Sequence, residues 1–170
     1  METWDAIRTR RHVRRYADRP IPPADLDRIL DAGRLAPSWR NRQARDFVVV
    51  TDRDQLAELA QISEGASHVR GSAVTVAVVV PEADDATFLR YVYDAGQATI
   101  PMALAAADLG IGGAPAEIGD HERLRKILGL PADRRCLHVL AFGYPDDGPF
   151  DVTTTLHRRP LDEVAHRGRW

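Results

Sequence analysis

The sequence predicts an α+β or mixed α/β fold, a sheet packed by helices, and three observations predict it. Short β-branched runs stand at "DFVVVTD", "SAVTVAVVVP" and "CLHVLAFGYP", each with the length and composition of a buried strand. Segments with apolar residues at helical spacing separate these runs. A long alanine-rich stretch, "FLRYVYDAGQATIPMALAAADLG", reads as one extended helix.

Taken in order, a helix opens the chain and a second follows it. "PIPPADLDRILDAGRLAPS" begins with prolines suited to a first helical turn and closes on another proline. Leu26, Ile29 and Leu30 share one face, so residues 23–35 form an amphipathic helix. Residues 46–52 are the first strand. A helix marked by Leu56, Leu59 and Ala60 leads to the second strand at 72–81. The long helix spans 88–110, with Gly110 as its stop signal. Its small residues permit close approach of another helix, and Pro101 is a point where it can bend. "HERLRKILGL" is a further helix, and residues 136–145 are the third strand. From about residue 146 the chain is polar and proline-punctuated. With no internal repeat and no long linker, residues 1–170 are expected to form a single domain with a C-terminal tail.

Composition narrows the function. The chain has 170 residues, a net charge of -2 and 44% hydrophobic residues, as in an ordinary globular protein with a sizeable core. No global basic field exists to coat DNA or an anionic membrane, so any anion binding is local. Cys136 is the single cysteine, so no intrachain disulfide can form, which suits a reducing, cytoplasmic setting. No stretch approaches 18 apolar residues, which argues against secretion or membrane spanning. The chain carries 22 arginines and one lysine, Lys126, so arginine clusters must be judged by context.

Three constellations carry chemistry. In "RRHVRRY", an extended backbone would turn residues 10, 12 and 14 to one side. Arg10 and Arg14 could then converge on one dianion, with His12 as an added donor, because guanidinium makes bidentate charge-assisted bonds to phosphate. The plain alternative is a solvated helix end. In "LAPSWRNRQARDFVVV", amide side chains precede a buried strand and offer the mixed donors and acceptors that a heterocycle edge requires. Ordinary turn chemistry would also explain them. In "LGIGGAPAEIGD", three glycines free the backbone to approach a ligand, or simply cap a helix and begin a loop. This is not a dinucleotide fingerprint, since a helix rather than a strand precedes it.

Together these segments resemble the flavin-dependent nitroreductase family. Its members show an Arg-x-Ser-x-Arg/Lys opening, a Pro-Ser…Asn-x-Gln loop before a strand, an alanine-rich helix ending in glycines and a Pro-x-Glu-Gly-like loop. A strand end like "GYP" and a terminal Arg-x-Pro-Leu-x-Glu complete the set. The matching pieces here are "RRHVRRYADRPIP", "LAPSWRNRQARDFVVV", "LAAADLGIGGAPAEIG", "AFGYP" and "RRPLDEV", in family order over nearly the whole chain.

The resemblance implies an α+β fold with a mixed, mostly antiparallel central sheet flanked by helices. It also implies a homodimer with FMN at the subunit interface and the long helix in that interface. Arg10 and Arg158 match arginines that hold the FMN phosphate, and Arg14 matches the basic residue near the phosphate and pyrimidine side. Arg11 and His12 fall in the same cofactor-binding segment. Ser38 and Asn41 match the loop that reaches the flavin from the partner subunit. Pro115, Ala116 and Glu117 match the loop beside the reactive ring edge. The chemistry is the cofactor's: hydride from NAD(P)H to flavin, then to an electron-poor small molecule such as a nitroaromatic or quinone. No catalytic side chain and no metal are called for, and Cys136 is expected in the core. His68, His121, His138 and His157 are given no role.

Three departures stand out. The family serine is His12, the family Pro-Trp is Ala44-Arg45, and the chain is short, without the insertion that usually covers the flavin. Two rivals remain: a diverged protein of the same fold that uses a deazaflavin, oxidises a specialised substrate or only holds flavin, and a nucleic-acid module built on the arginines. The acidic pI of about 6.3 and the lack of a nucleic-acid motif oppose the latter.

Overall fold

A computed structural model describes residues 1–148 and 158–170. Among these residues the helices are α1 (Thr3–Thr9), α2 (Pro23–Arg34), α3 (Arg53–Leu59), α4 (Asp85–Asp108), α5 (His121–Leu128) and α6 (Leu161–Val164). The strands are β1 (Asp46–Val50), β2 (Val74–Pro81), β3 (Gly112–Ala116) and β4 (Arg134–Gly143). Short 3-10 turns lie at Trp39–Asn41 and Glu64–Gly71.

The helix boundaries have local causes. Asp52, Asp84 and Asp120 cap α3, α4 and α5, their carboxylates accepting from the amides of Gln55, Thr87 and Arg123. Pro23 starts α2, where its missing N–H is no loss. Gly110, at φ 72°, lies just beyond the end of α4, as expected, and α4 runs through Pro101 as one helix.

The sheet order is β1-β2-β4-β3, with every neighbouring pair antiparallel. β2 is buried on both faces from Val74 to Val80, which explains its unbroken apolar run. One face packs Val50, Leu56, Leu59, Val79, Leu124 and Val139 under α3 and α5. The other packs Ile29, Val76, Val78, Met102, Leu140 and Phe142 under α2 and α4. Burial of side chains this size contributes roughly 1.5–3 kcal/mol each, so these two layers hold the sheet.

The structure corrects the expectation of three strands. "GGAPA", read as a helix cap leading into a loop, is the edge strand β3, paired to β4 from Gly112↔Gly143 to Ala116↔Val139. Propensity hides it, because glycine and proline are depleted from strands. An edge tolerates Pro115, since its missing N–H need not join a ladder on the open side. The extended polar tail is described only in part. Asp146 and Asp147 form a turn, residues 149–157, including His157, lie outside the described residues, and residues 158–170 are exposed around α6.

Candidate functional site

The site is built on the outer edge of β3. After α1 the chain meets this edge at His12 and Val13 and then crosses to Pro145: His12 bridges Gly113 in parallel, the Val13 amide donates to the Gly113 carbonyl at 3.3 Å, and Tyr16 bridges Pro145. The Tyr16 hydroxyl donates to Val13 O at 2.6 Å and lies 3.3 Å from Ala141 O, fixing the end of this segment. The glycines answer the question their clustering raises. A Cβ on Gly112 would lie 2.5 Å from the Val13 side chain, and one on Gly113 would lie 2.8 Å from Phe142. They serve close approach of one backbone to another.

Between this edge and α4 opens a cleft of about 240 Å³. Arg10 and His12 stand on one rim, and Gly113, Ala114 and Pro115 supply the strand wall. Thr99, Ile100 and Ala103 of α4 face His138, Leu140 and Phe142 of β4. His138 reaches it through a break in the pairing: Val78 faces His138 but Val79 faces Cys136, which leaves Leu137 as an extra residue. That bulge puts Cys136 on the α5 face and His138 on the cleft face, although two residues normally share a side. Cys136 is buried, as expected of a core residue, and burial pushes its thiol up to about 12.

The electrostatics are positive around neutral imidazoles. Burial lowers the His12 pKa, and the charges of Arg10 and Arg14 lower it further. Burial lowers that of His68 as well, partly offset by hydrogen bonds to the backbone of Ala114 and Gly65; Arg14 and His12 add to the lowering. His138 is lowered by burial alone. The Nε2 atoms of His68 and His138 are both buried without a protein partner. Such atoms are costly unless something hydrogen-bonds them.

A second region lies on the loop between α2 and β1. Arg40, Asn41 and Gln43 all adopt positive φ, between 51° and 54°, a conformation that costs a non-glycine residue about 1 kcal/mol or more. The Ser38 hydroxyl accepts from the Gln43 amide at 2.9 Å, and both oxygens of Asp94 on α4 accept from the Trp39 amide, at 3.1 and 2.9 Å. In place of the expected proline and aromatic, Arg45 turns inward. Its guanidinium donates to Arg34 O and Pro37 O, both at 3.2 Å, and to Ala36 O.

Of the expected site residues, Arg10, His12 and Pro115 meet at the cleft. Arg14 lies close enough for its charge to act on His12 and His68. Arg11 is exposed beside them. Ala116 is buried in the core layer, while Glu117 is exposed, its carbonyl accepting from the Ser63 hydroxyl at 2.9 Å. Ser38 instead borders a broader groove of about 600 Å³ against Leu89, Arg90 and Tyr93 of α4, and Asn41 stays on the exposed loop. Neither joins the Arg10 cleft within one chain. Arg158 is exposed on the segment after residue 157 and is not among the residues lining the cleft. His138, given no role from sequence, lines the cleft, and His68, on the Glu64–Gly71 turn, hydrogen-bonds to the backbone of Ala114 on the strand wall. For His138 a signal existed, since residues 138, 140 and 142 share one strand face. For His68 none did. Among the described residues, no group of three or more histidine, cysteine or acidic side chains is placed to hold a metal ion.

Comparison with known proteins identifies the fold and the family. The model of the nitroreductase family matches residues 7–78 and 64–144. A protein of Archaeoglobus fulgidus named as an NADH dehydrogenase/NAD(P)H nitroreductase is 36% identical over 174 residues, covering 99% of this chain and 99% of its own. An FMN reductase [NAD(P)H] of Bacillus subtilis is 25% identical, over 98% of this chain and 73% of that protein. The structure of the NADPH:FMN oxidoreductase of Vibrio harveyi with NAD+ superposes with a TM-score of 0.85 at 25% identity, over 99% of this chain and 77% of that one.

Proposed function

The chain belongs to the nitroreductase family and is an oxidoreductase of that type; from that premise we propose that it binds FMN, draws on NAD(P)H and reduces an electron-poor small molecule such as a nitroaromatic or a quinone. The observation that carries this reading is the meeting of Arg10 and His12, from the N-terminal segment, with Pro115, far along the chain, at one cleft on the β3 edge.

The residues present fit that cofactor. An arginine rim suits a dianionic phosphate, an apolar wall of Ile100, Ala103, Leu140 and Phe142 suits a flat ring, and the unpartnered imidazole nitrogen of His138 suits its polar edge. FMN, when bound, would supply the hydride transfer itself. Arg10 would hold the phosphate, with Arg14 close by adding positive charge and Arg158 as a further holder. Arg11 and His12 belong to the same binding segment. The backbone at Pro115, Ala116 and Glu117 would border the reactive edge, where rigid strand geometry keeps it in place. Positive charge from Arg10 and Arg14 stabilises negative charge accumulating nearby, and the neutral imidazoles can donate or accept hydrogen bonds without adding charge.

The proposal takes a homodimer as the working unit. One chain encloses about 240 Å³, less than the roughly 300–1,000 Å³ usual for a ligand site, so a second copy would complete the cavity with Ser38 and Asn41. The face of α4 supports this: Leu89 and Tyr93 are 69% exposed and Ile100 54%, a line of apolar surface that a lone soluble chain rarely leaves bare.

The deciding experiment is absorbance spectroscopy and mass identification of what co-purifies, followed by anaerobic addition of NADH or NADPH. A yellow protein whose FMN band bleaches on addition supports the proposal. A protein that neither retains nor takes up FMN overturns it.

A further inference from the structure

The loop between α2 and β1 is held from two sides by buried charge. Arg45 is 9% exposed and Asp94 5%. The Arg45 guanidinium spans Arg34 O, Ala36 O and Pro37 O, the carbonyls left open where α2 ends. A cation there meets the negative end of the helix dipole. Asp94 takes the Trp39 amide on both oxygens and the Gln97 amide nitrogen at 3.4 Å. Between these two anchors lie the left-handed residues Arg40, Asn41 and Gln43. A short loop with three strained residues does not keep its shape unaided.

The arrangement is not what stability alone would select. Arg45 keeps a buried Nε without a protein partner, and desolvation lowers its pKa against the opposing charge of Asp94. Apolar side chains of similar volume often replace buried charges at no loss of stability. What an apolar side chain cannot do is hold three carbonyls at a fixed angle, as the planar fork does.

We infer that Arg45 and Asp94 are positioning residues that together fix the 36–43 loop in the shape presenting Ser38 and Asn41, a role resting on the reading above that this loop meets the cofactor. Neither touches the reacting atoms. Arg45 sets the departure of the loop from α2, and Asp94 pins its crest to α4, so the strained turn between them is specified in advance of binding. The gain is lower ordering cost on binding.

The test combines amide hydrogen exchange of residues 38–43 with FMN affinity, measured by flavin fluorescence on the full chain. In Arg45→Met, loop exchange should rise at least tenfold while amides of α4 and β2 stay protected, and the FMN Kd should rise about tenfold. Arg45→Lys should not rescue either readout, because one ammonium cannot span three carbonyls. Unchanged loop exchange in Arg45→Met overturns the positioning role, as does loosening spread evenly over the sheet, which marks a purely structural residue. A loosened loop with unchanged FMN affinity overturns the cofactor reading of the loop instead, and with it the functional half of the inference. If Arg45→Met does not fold, the double variant Arg45→Met/Asp94→Asn, which removes both buried charges, takes the same two measurements and the same outcomes apply.

Discussion

Gly112 and Val13 touch so closely that no side chain fits between them: a Cβ on Gly112 would lie 2.5 Å from both Cβ and Cγ2 of Val13. Val13 sits between His12 and Arg14, so this contact fixes the seat of the basic segment on β3. Gly112→Ala must push that segment off the strand or strain it, at a cost of roughly 1–3 kcal/mol. We expect a melting temperature lower by several degrees and weaker FMN retention. The double variant Gly112→Ala/Val13→Gly, which removes the Cβ and Cγ2 that the new methyl would strike, should recover part of both losses relative to Val13→Gly alone. Thermal melting and flavin release check it, and no recovery in the double variant would refute the steric account.

Arg10 lines the cleft without being part of the core. Arg10→Ala should therefore cost affinity and spare the fold. A charge-assisted hydrogen bond is worth about 1.5–3 kcal/mol, or roughly ten- to a hundredfold in the FMN Kd, while the melting temperature of the cofactor-free protein should move little. Arg158→Ala should act in the same direction. Equal FMN affinity in either variant would remove that arginine from the phosphate assignment.

Acidity should weaken the fold through its imidazoles. The His68 and His138 pKa values are lowered in the folded chain, with burial the largest cause. The unfolded chain thus binds more protons at moderate acidity, so stability rises with pH across that window. The contribution is intact above the ordinary imidazole value of about 6.5 and is lost as the pH falls below it. Urea midpoints between pH 7.5 and pH 5 should fall with acidity, and His138→Gln should flatten the slope. A slope unaltered by that substitution would show that His138 does not carry it.

The proposed pairing of two copies is tested on α4. Leu89→Arg or Tyr93→Arg places charge in the middle of the exposed apolar line. If this face joins two copies, the loss at a central contact is about 2 kcal/mol or more, at least roughly thirtyfold in the dimer constant. Sedimentation should shift toward the monomer and FMN retention should fall with it. A variant that sediments as the parent does would move the interface elsewhere.

Much of the architecture was readable because it rests on patterns the chain displays openly. β-branched runs gave β1, β2 and β4, and helical spacing gave α2 to α5 within a few residues. What escaped was set by tertiary contact. Gly112 and Gly113 lie in a strand through pairing with β4, and they are glycines because Val13 and Phe142 crowd them, neither of which propensity records. The bulge at Leu137, which parts Cys136 from His138, depends on register against β2. Arg10, His12 and Pro115 could be placed from motif order, whereas the inward turn of Arg45 has no pattern in the chain. Nor could His68, which hydrogen-bonds to the backbone of Ala114 on the strand wall.

The two long walls of the cleft differ in how much change they will accept. His138, Leu140 and Phe142 alternate along β4 with Val139 and Ala141, which belong to the opposite core layer. Enlarging or shrinking a side chain on that wall therefore disturbs the middle of the sheet. Thr99, Ile100 and Ala103 stand on a helix whose other side makes the core contacts, through Ala95, Met102 and Ala106. If the cleft holds the flavin as proposed, Thr99 and Ala103 are the wall positions where a change of size disturbs least, since Ile100 also belongs to the exposed line of α4.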